Sequence, residues 1–155
     1  MAELVGIYLA ETKAAELRPV PEARAIPGHG LEGDRYCKHQ GTFSKSGEPD
    51  REVTLVESEA VEALARDYNV TIKEGEARRN LVTRGIALNH LVGKDFLVGE
   101  VRLRGIRLCE PCGHLEKLTV PGIEKGLIHR GGLRAQIVTE GVLRTGDSIR
   151  KAASA

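Results

Sequence analysis

Val101-Arg102-Leu103-Arg104-Gly105-Ile106-Arg107-Leu108-Cys109 is the stretch on which the fold turns. Val101 and Leu103 fall on one face of an extended chain, with arginines between them. Arg104-Gly105 then shifts the phase, so that Ile106 and Leu108 carry on the alternation. A glycine at a phase shift reads as a β-bulge, which bends a strand and raises its twist. The stretch predicts a long, bent strand in a curved sheet.

Working outward, similar short pieces recur between glycines. Leu4 to Leu9 alternates, with Val5, Ile7 and Leu9 on one face. Val53 to Val56, Asn80 to Thr83, Asp95 to Val98 and Leu133 to Thr139 read as further strands. The closing Glu140-Gly141-Val142-Leu143-Arg144-Thr145-Gly146-Asp147 reads as turn, very short strand and turn. Only one stretch has helical periodicity. After Ser58, a candidate N-cap, Ala60, Val61, Leu64, Ala65 and Tyr68 share a side, with Glu62, Arg66 and Asp67 outward. Asn69 ends it. Residues 18 to 50 carry so many prolines and glycines that they read as a long loop, a length more often functional than idle.

The chain has 155 residues, enough for one well-filled core and too few for two ordinary domains. Eighteen glycines and 3% aromatics suit many turns around an aliphatic core. The expected architecture is mostly β: a closed or strongly curved, mostly antiparallel barrel with one main helix and short helical segments. A single domain is expected over 1–150, with 151–155 a disordered tail. The net charge of +1 and the scarcity of aromatics argue against nucleic acid, and no apolar run is long enough to span a membrane. Three cysteines and no secretory pattern after Met1 point to the reducing cytoplasm.

The strongest chemical signal follows the bent strand: Leu108-Cys109-Glu110-Pro111-Cys112-Gly113-His114. Two sulfurs at this spacing can share a metal, exchange disulfides, or activate one thiol beside the other. Pro111 stiffens the loop, Gly113 leaves the backbone beside Cys112 open, and His114 could stabilise a thiolate or pass a proton. The bland reading is that the cysteines are small buried hydrophobes. A rival reading is a structural zinc site in which Cys37 and His39 join Cys109 and Cys112, although Cys37-Lys38-His39 lacks the usual ligand spacing. That rival would make the protein a non-catalytic binding module or adaptor.

Gly28-His29-Gly30-Leu31-Glu32-Gly33 has the spacing of a dinucleotide fingerprint but follows Pro27 and opens no helix, so that reading is rejected. Gly33-Asp34-Arg35 could still form a backbone nest for an anion, or a turn in which Asp34 bonds its own backbone. Arg78-Arg79-Asn80 and His129-Arg130-Gly131-Gly132 place cations at strand ends, where arginine suits phosphate. Each such cluster alone is more often a solvated face.

Taken in order, these motifs resemble the MOSC domain, found at the C-terminus of molybdenum-cofactor sulfurases and in small stand-alone bacterial proteins. The pieces are Gly30 to Arg35, Arg51 to Leu55, Arg79-Asn80-Leu81-Val82 with Gly85-Ile86, Leu91-Val92-Gly93 with Phe96 to Gly99, Cys109 to Cys112, Arg130-Gly131-Gly132, and Gly141 to Asp147. The resemblance spans roughly residues 1 to 150. It implies a β-barrel similar to that of pyruvate kinase, and a role in binding the molybdenum cofactor or handling sulfur for it. It implies that Cys112 carries a persulfide, or ligates molybdenum if cofactor is bound, as in members that reduce N-hydroxylated compounds. Cys109 becomes a helper or resolving thiol, and Arg79 and Asn80 lie near the cofactor. Arg35 and Arg130 are carried over more weakly. The anionic pterin is the expected small-molecule partner, and a sulfur or electron donor protein the expected macromolecular one. Pyridoxal phosphate, bound in full sulfurases by a lyase domain that this chain lacks, is not expected.

Overall fold

The computed structural model describes residues 2–11, 15–34, 52–109, 122–127 and 129–152. In chain order the strands are β1 (Glu3–Leu9), β2 (Arg18–Val20), β3 (Glu22–Ile26), β4 (Gly30–Leu31) and β5 (Val53–Glu57). The helix α1 (Ser58–Tyr68) follows, then β6 (Leu81–Arg84), β7 (Asp95–Val98) and β8 (Val101–Leu108). The short helix α2 (Ile123–Gly126) precedes β9 (Leu133–Ile137), β10 (Gly141–Arg144) and β11 (Ile149–Lys151).

Eight strands form one sheet in the order β11-β7-β8-β9-β5-β6-β1-β2, and β10-β3-β4 form a second. The large sheet curls until its far parts meet. Glu3 bridges Ser148, and the Leu4 amide donates to the Asp147 carbonyl at 2.8 Å. That contact is a single bridge rather than a full strand pair, so the barrel is strongly curved but incompletely closed. Every pairing is antiparallel except β5 with β6, which run parallel because α1 crosses over between them.

Alternation sorts the side chains. Ile7, Leu55, Leu81, Phe96, Leu103, Leu133 and Ala135 fill the inside of the curl, joined by Ala25, Leu31 and Leu143 from the small sheet. On the outer face Val56 and Val82 pack under Ala60, Val61 and Leu64 of α1, with Ile123 and Leu127 beside them. The face predicted for the helix needs one exchange. Ala63 is buried, whereas Ala65 is exposed and Tyr68 is 47% exposed. Ser58 is the first helical residue, with Glu57 at the N-cap; the serine hydroxyl accepts from Arg84 Nη1 at 3.1 Å instead of capping. Asn69 closes the helix in the left-handed region, as predicted.

The bend in β8 lies where the phase shift placed it. The β8–β9 register slips between Gly105 and Arg107. The slip accommodates the chain after the 3-10 turn Leu88–Leu91: a Cβ on Gly105 would lie 2.1 Å from the Leu91 carbonyl oxygen. Three other expectations are corrected. A second register slip, between Leu4 and Gly6, sends Val5 to the helix-covered face, away from Ile7 and Leu9. The predicted loop over 18–50 contains β2, β3 and β4. Pro19 is tolerated because β2 is an edge strand with no neighbour needing its N–H, and Ala23 and Ala25 alternate inward too modestly to signal a strand. Lys151 closes β11 against Phe96 and the Ala152 amide bonds the Asp95 carbonyl, so the predicted tail cannot start at 151. Residues 153–155 lie outside the described residues.

Candidate functional site: an arginine-rich sheet face beside Cys109

Register lines up a polar row across four strands of the outer face. Arg107 on β8 sits opposite Arg134 on β9, and Arg134 sits opposite Thr54 on β5. Beside Thr54 lies Asn80, just before β6, and the Tyr8 amide of β1 donates to the Asn80 carbonyl at 2.7 Å. Thr54 and Asn80 satisfy each other. The Asn80 side-chain oxygen accepts from the Thr54 amide and hydroxyl, both at 3.2 Å, and the Asn80 amide donates to the Thr54 hydroxyl oxygen at 3.0 Å. Asn80 Nδ2 donates to the Tyr8 carbonyl at 3.1 Å. Asn80, predicted as a cofactor ligand, is fully buried and joins β1, β5 and β6.

Arg79 braces the backbone at Cys109, where the Cys-x-x-Cys motif begins. Its Nε donates to the Gly131 carbonyl at 2.7 Å and its Nη2 to the Cys109 carbonyl at 3.1 Å. The Cys109 amide in turn donates to the Gly132 carbonyl at 2.8 Å. Arg79 is 8% exposed, so both backbone bonds are made away from water, where charge-assisted bonds are strongest. Cys109 itself is a free, buried thiol, 1% exposed. That matches the small-hydrophobe reading of this cysteine and shields its sulfur from bulk reagents.

Arg134 is the residue that sequence reading passed over. It is 9% exposed, yet its Nε and Nη1 atoms are buried with no hydrogen-bond partner among the described residues. A buried charge without compensation costs on the order of several kcal/mol. The neighbouring arginines on β8 are served differently. Asp95 accepts from Arg102 at 2.8 Å and Arg104 at 2.7 Å, and these cations, Arg104 first, hold its carboxyl below the usual carboxylate range. An arginine at an alternating polar position reads locally as solvated; only the sheet and its covering bury it.

The remaining predicted residues are distributed as follows. Gly33 has φ +93°. The Asp34 amide donates to Leu31 and its carboxylate accepts from the Ala10 amide at 3.1 Å, so Asp34 pins this turn to the end of β1, and its N–H is not turned toward an anion. Arg130 is exposed and near enough to Asp67 on α1 to help Arg66 lower that carboxyl. Arg35, Cys37, His39, Cys112 and His114 lie outside the described residues. Among the described residues no group of three His, Cys, Asp or Glu side chains could hold a metal. An open cavity of about 750 Å³ lies elsewhere, lined by Arg24, Val101, Thr139, Glu140 and Val142, and includes none of the predicted site residues.

Glu52, just before β5, is a further buried ionisable group. Its Oε1 accepts from the Gly28 amide at 3.0 Å and the Ile137 amide at 3.2 Å. Burial pushes its carboxyl up; the two amides and the charge of His29 oppose this but are outweighed. A carboxyl raised on folding contributes stability that is complete below its ordinary range and lost as pH rises through its folded value. Glu52→Gln keeps an accepting oxygen for both amides. It is expected to flatten the fall in stability between mildly acidic and neutral pH, read as urea midpoints at each pH. An unchanged pH slope would refute this.

A curled sheet whose β5–β6 crossover is helical, with an arginine brace at the root of a Cys-x-x-Cys segment, invites comparison with known families. The family model described as MOSC domain matches residues 42–150. The chain belongs to the MOSC domain family. This family is associated with molybdenum-cofactor-related function. Solved structures with the same MOSC-like fold include the YuaD protein from Bacillus subtilis, with a TM-score of 0.76 at 18% identity, covering 96% of this chain and 94% of that one. YiiM from Geobacillus stearothermophilus has a TM-score of 0.75 at 16% identity, covering 99% of this chain and 76% of that one. YiiM from Escherichia coli has a TM-score of 0.71 at 19% identity, covering 100% and 71%. At these identities the likeness shows the fold alone. No curated protein matches this MOSC chain at a comparable standard.

Proposed function

We propose that this MOSC domain handles sulfur for the molybdenum cofactor, or serves a cofactor-dependent reductase, with the Cys112 thiol as the reacting group. The observation that carries this reading is the Arg79 brace. By holding the Cys109 and Gly131 carbonyls together, Arg79 gives the segment running toward Pro111-Cys112 a rigid root beside an arginine-rich face. Preorganised supports of this kind matter because a reacting group misplaced by about 1 Å can lose on the order of a hundredfold in rate.

The cofactor is a pterin with an anionic phosphate and a sulfur-rich metal centre. The described residues fit its anionic end, since the buried Arg134 has two nitrogens in want of an acceptor. Cys112 would be the soft ligand, which suits such a centre. When bound, the cofactor would supply a metal that exchanges electrons or accepts sulfur. The chain's own part begins earlier. The Cys112 thiolate attacks the outer sulfur of a donor protein's persulfide; the donor's S–S bond breaks, its own cysteine leaves as thiolate, and Cys112 is left as a persulfide. Arg79 holds the backbone, arginines on the face hold negative charge, and the buried Cys109 is kept out of the exchange.

The test is intact-mass spectrometry without reductant, after incubation with a persulfide donor. Wild type and Cys109→Ser are expected to gain one sulfur mass, and Cys112→Ser to lose at least nine-tenths of that adduct. Retention of the adduct in Cys112→Ser would overturn the assignment.

A further inference from the structure

The second sheet ends on β10, which pairs with β3 on one side and, among the described residues, with no strand on the other. Register shows which backbone groups that edge presents. The Arg24 carbonyl accepts from the Glu32 amide on the β4 side, and the Thr145 amide donates to the Pro21 carbonyl. Antiparallel ladders alternate, so Val142, opposite Arg24, turns its N–H and C=O away from β3. The Arg144 amide, two residues on, follows the same direction and donates to Asp147 Oδ2 at 2.8 Å. Among the described residues nothing bonds the Val142 amide or carbonyl. The open cavity of about 750 Å³ lies at this edge, with Val142 and Arg144 in its lining beside Gly99 and Glu100.

Leu143 enters the core, so Glu140, Val142 and Arg144 share the outer face. Charges on an edge strand usually repel a second strand. Here they have opposite sign and stand two residues to either side of Val142. A second β10 laid antiparallel, Val142 against Val142, sets Glu140 of each copy opposite Arg144 of the other, with Cβ atoms about 4.5–5.5 Å apart. The pairs within each chain extend this contact. Arg144 already meets Glu22 at 3.5 Å, and Glu140 meets Arg24 at 3.1 Å. Two separate pairs thus become one row of alternating charge, Glu22 and Arg144 of one copy, then Glu140 and Arg24 of the other. Two-fold symmetry makes the row twice. An isolated exposed pair contributes little, whereas a network counts for more.

We infer that the free edge of β10 docks a second copy of this chain, as a two-fold antiparallel pair centred on Val142. Each Val142 amide donates to the Val142 carbonyl of the other copy, and the charge rows fix the register. Pairing stops at Arg144, whose amide and carbonyl are held by Asp147. So short a seam makes a weak dimer. The inference goes beyond the proposed function and uses none of its residues.

Sedimentation equilibrium of the purified full chain, from about 10 μM to about 1 mM, brackets a weak association. At about 0.05 M salt, where screening is slight, the average mass of wild type is expected to climb from one chain toward two. Glu140→Arg and Arg144→Glu each place like charges face to face twice across the seam, and each is expected to weaken association about tenfold or more. An equimolar mixture of these two variants is expected to associate again, because every basic position then meets an acidic one. Val142→Pro removes an amide that the fold does not use, at an edge position where proline is tolerated. It is expected to remain folded and to lose the dimer. A wild type that stays a single chain throughout would overturn the inference. So would a mixture no more associated than its components, or a folded Val142→Pro that dimerises as wild type does.

Discussion

Gly132→Ala is expected to destabilise the fold by more than about 4 kcal/mol, among the largest effects a single methyl can have. The added Cβ would lie 1.9 Å from the Leu55 carbonyl oxygen and 3.0 Å from its carbon, backbone atoms of a central strand that cannot swing aside. The position also has φ +114°, which disfavours any side chain. Moving β9 away from β5 to relieve the clash would strain the Thr54–Arg134 and Leu55–Leu133 pairs together. Gly28→Ala separates the two causes. Gly28 has φ +80° but nothing within 4 Å of its Cβ site, so it should cost only about 1 kcal/mol of backbone strain. Urea unfolding of the two variants measures the difference. Equal shifts in midpoint would mean that the sheet yields at Gly132 and that the close approach is not a constraint.

Asn80→Ala is expected to cost at least about 3 kcal/mol, at roughly 1–3 kcal/mol for each of the three buried groups left unmatched. The substitution strips the Thr54 amide and hydroxyl of their acceptor and the Tyr8 carbonyl of its donor. All three groups belong to central strands and water cannot replace the lost partners without opening the ladder. Asn80→Asp is the sharper probe. It preserves size and can still accept from Thr54, but it turns an oxygen toward the Tyr8 carbonyl and buries a charge. It should be at least as damaging as alanine. If instead Asp is tolerated near neutral pH, the residue is better hydrated than its full burial indicates. A loss of stability from Asn80 variants would also explain any loss of activity without a cofactor contact.

The strand at 101–109 shows how far local pattern reaches. Alternation and one glycine predicted both the strand and its slip, because a bulge must put two residues where one stood, and the apolar phase records it. The same reasoning failed at β3, where small alanines alternate inward against the second sheet; a methyl is too weak a hydrophobic signal to separate a strand from a loop. It failed again at Val5, whose slip adjoins Gly6 but leaves no polar residue out of phase to mark it. For the site, the cysteine motif and Arg79 were legible from residue type and spacing. Arg79's duty was not, since it depends on Cys109 and Gly131, separated from it by 30 and 52 positions.

By itself the sequence determined a mostly β chain with one main helix, the family to which it belongs, and the cysteine segment where its chemistry is expected. These follow from short-range periodicity, turn residues and ordered motifs, each written in a few neighbouring positions. Only the tertiary structure decided that Asn80 and Asp34 bond the backbone with their side chains, that Cys109 is buried, and that Arg134 is a covered cation whose Nε and Nη1 have no hydrogen-bond partner among the described residues. Whether a polar residue is solvated, matched or orphaned depends on which distant strand lies beside it, and no local pattern encodes that neighbour.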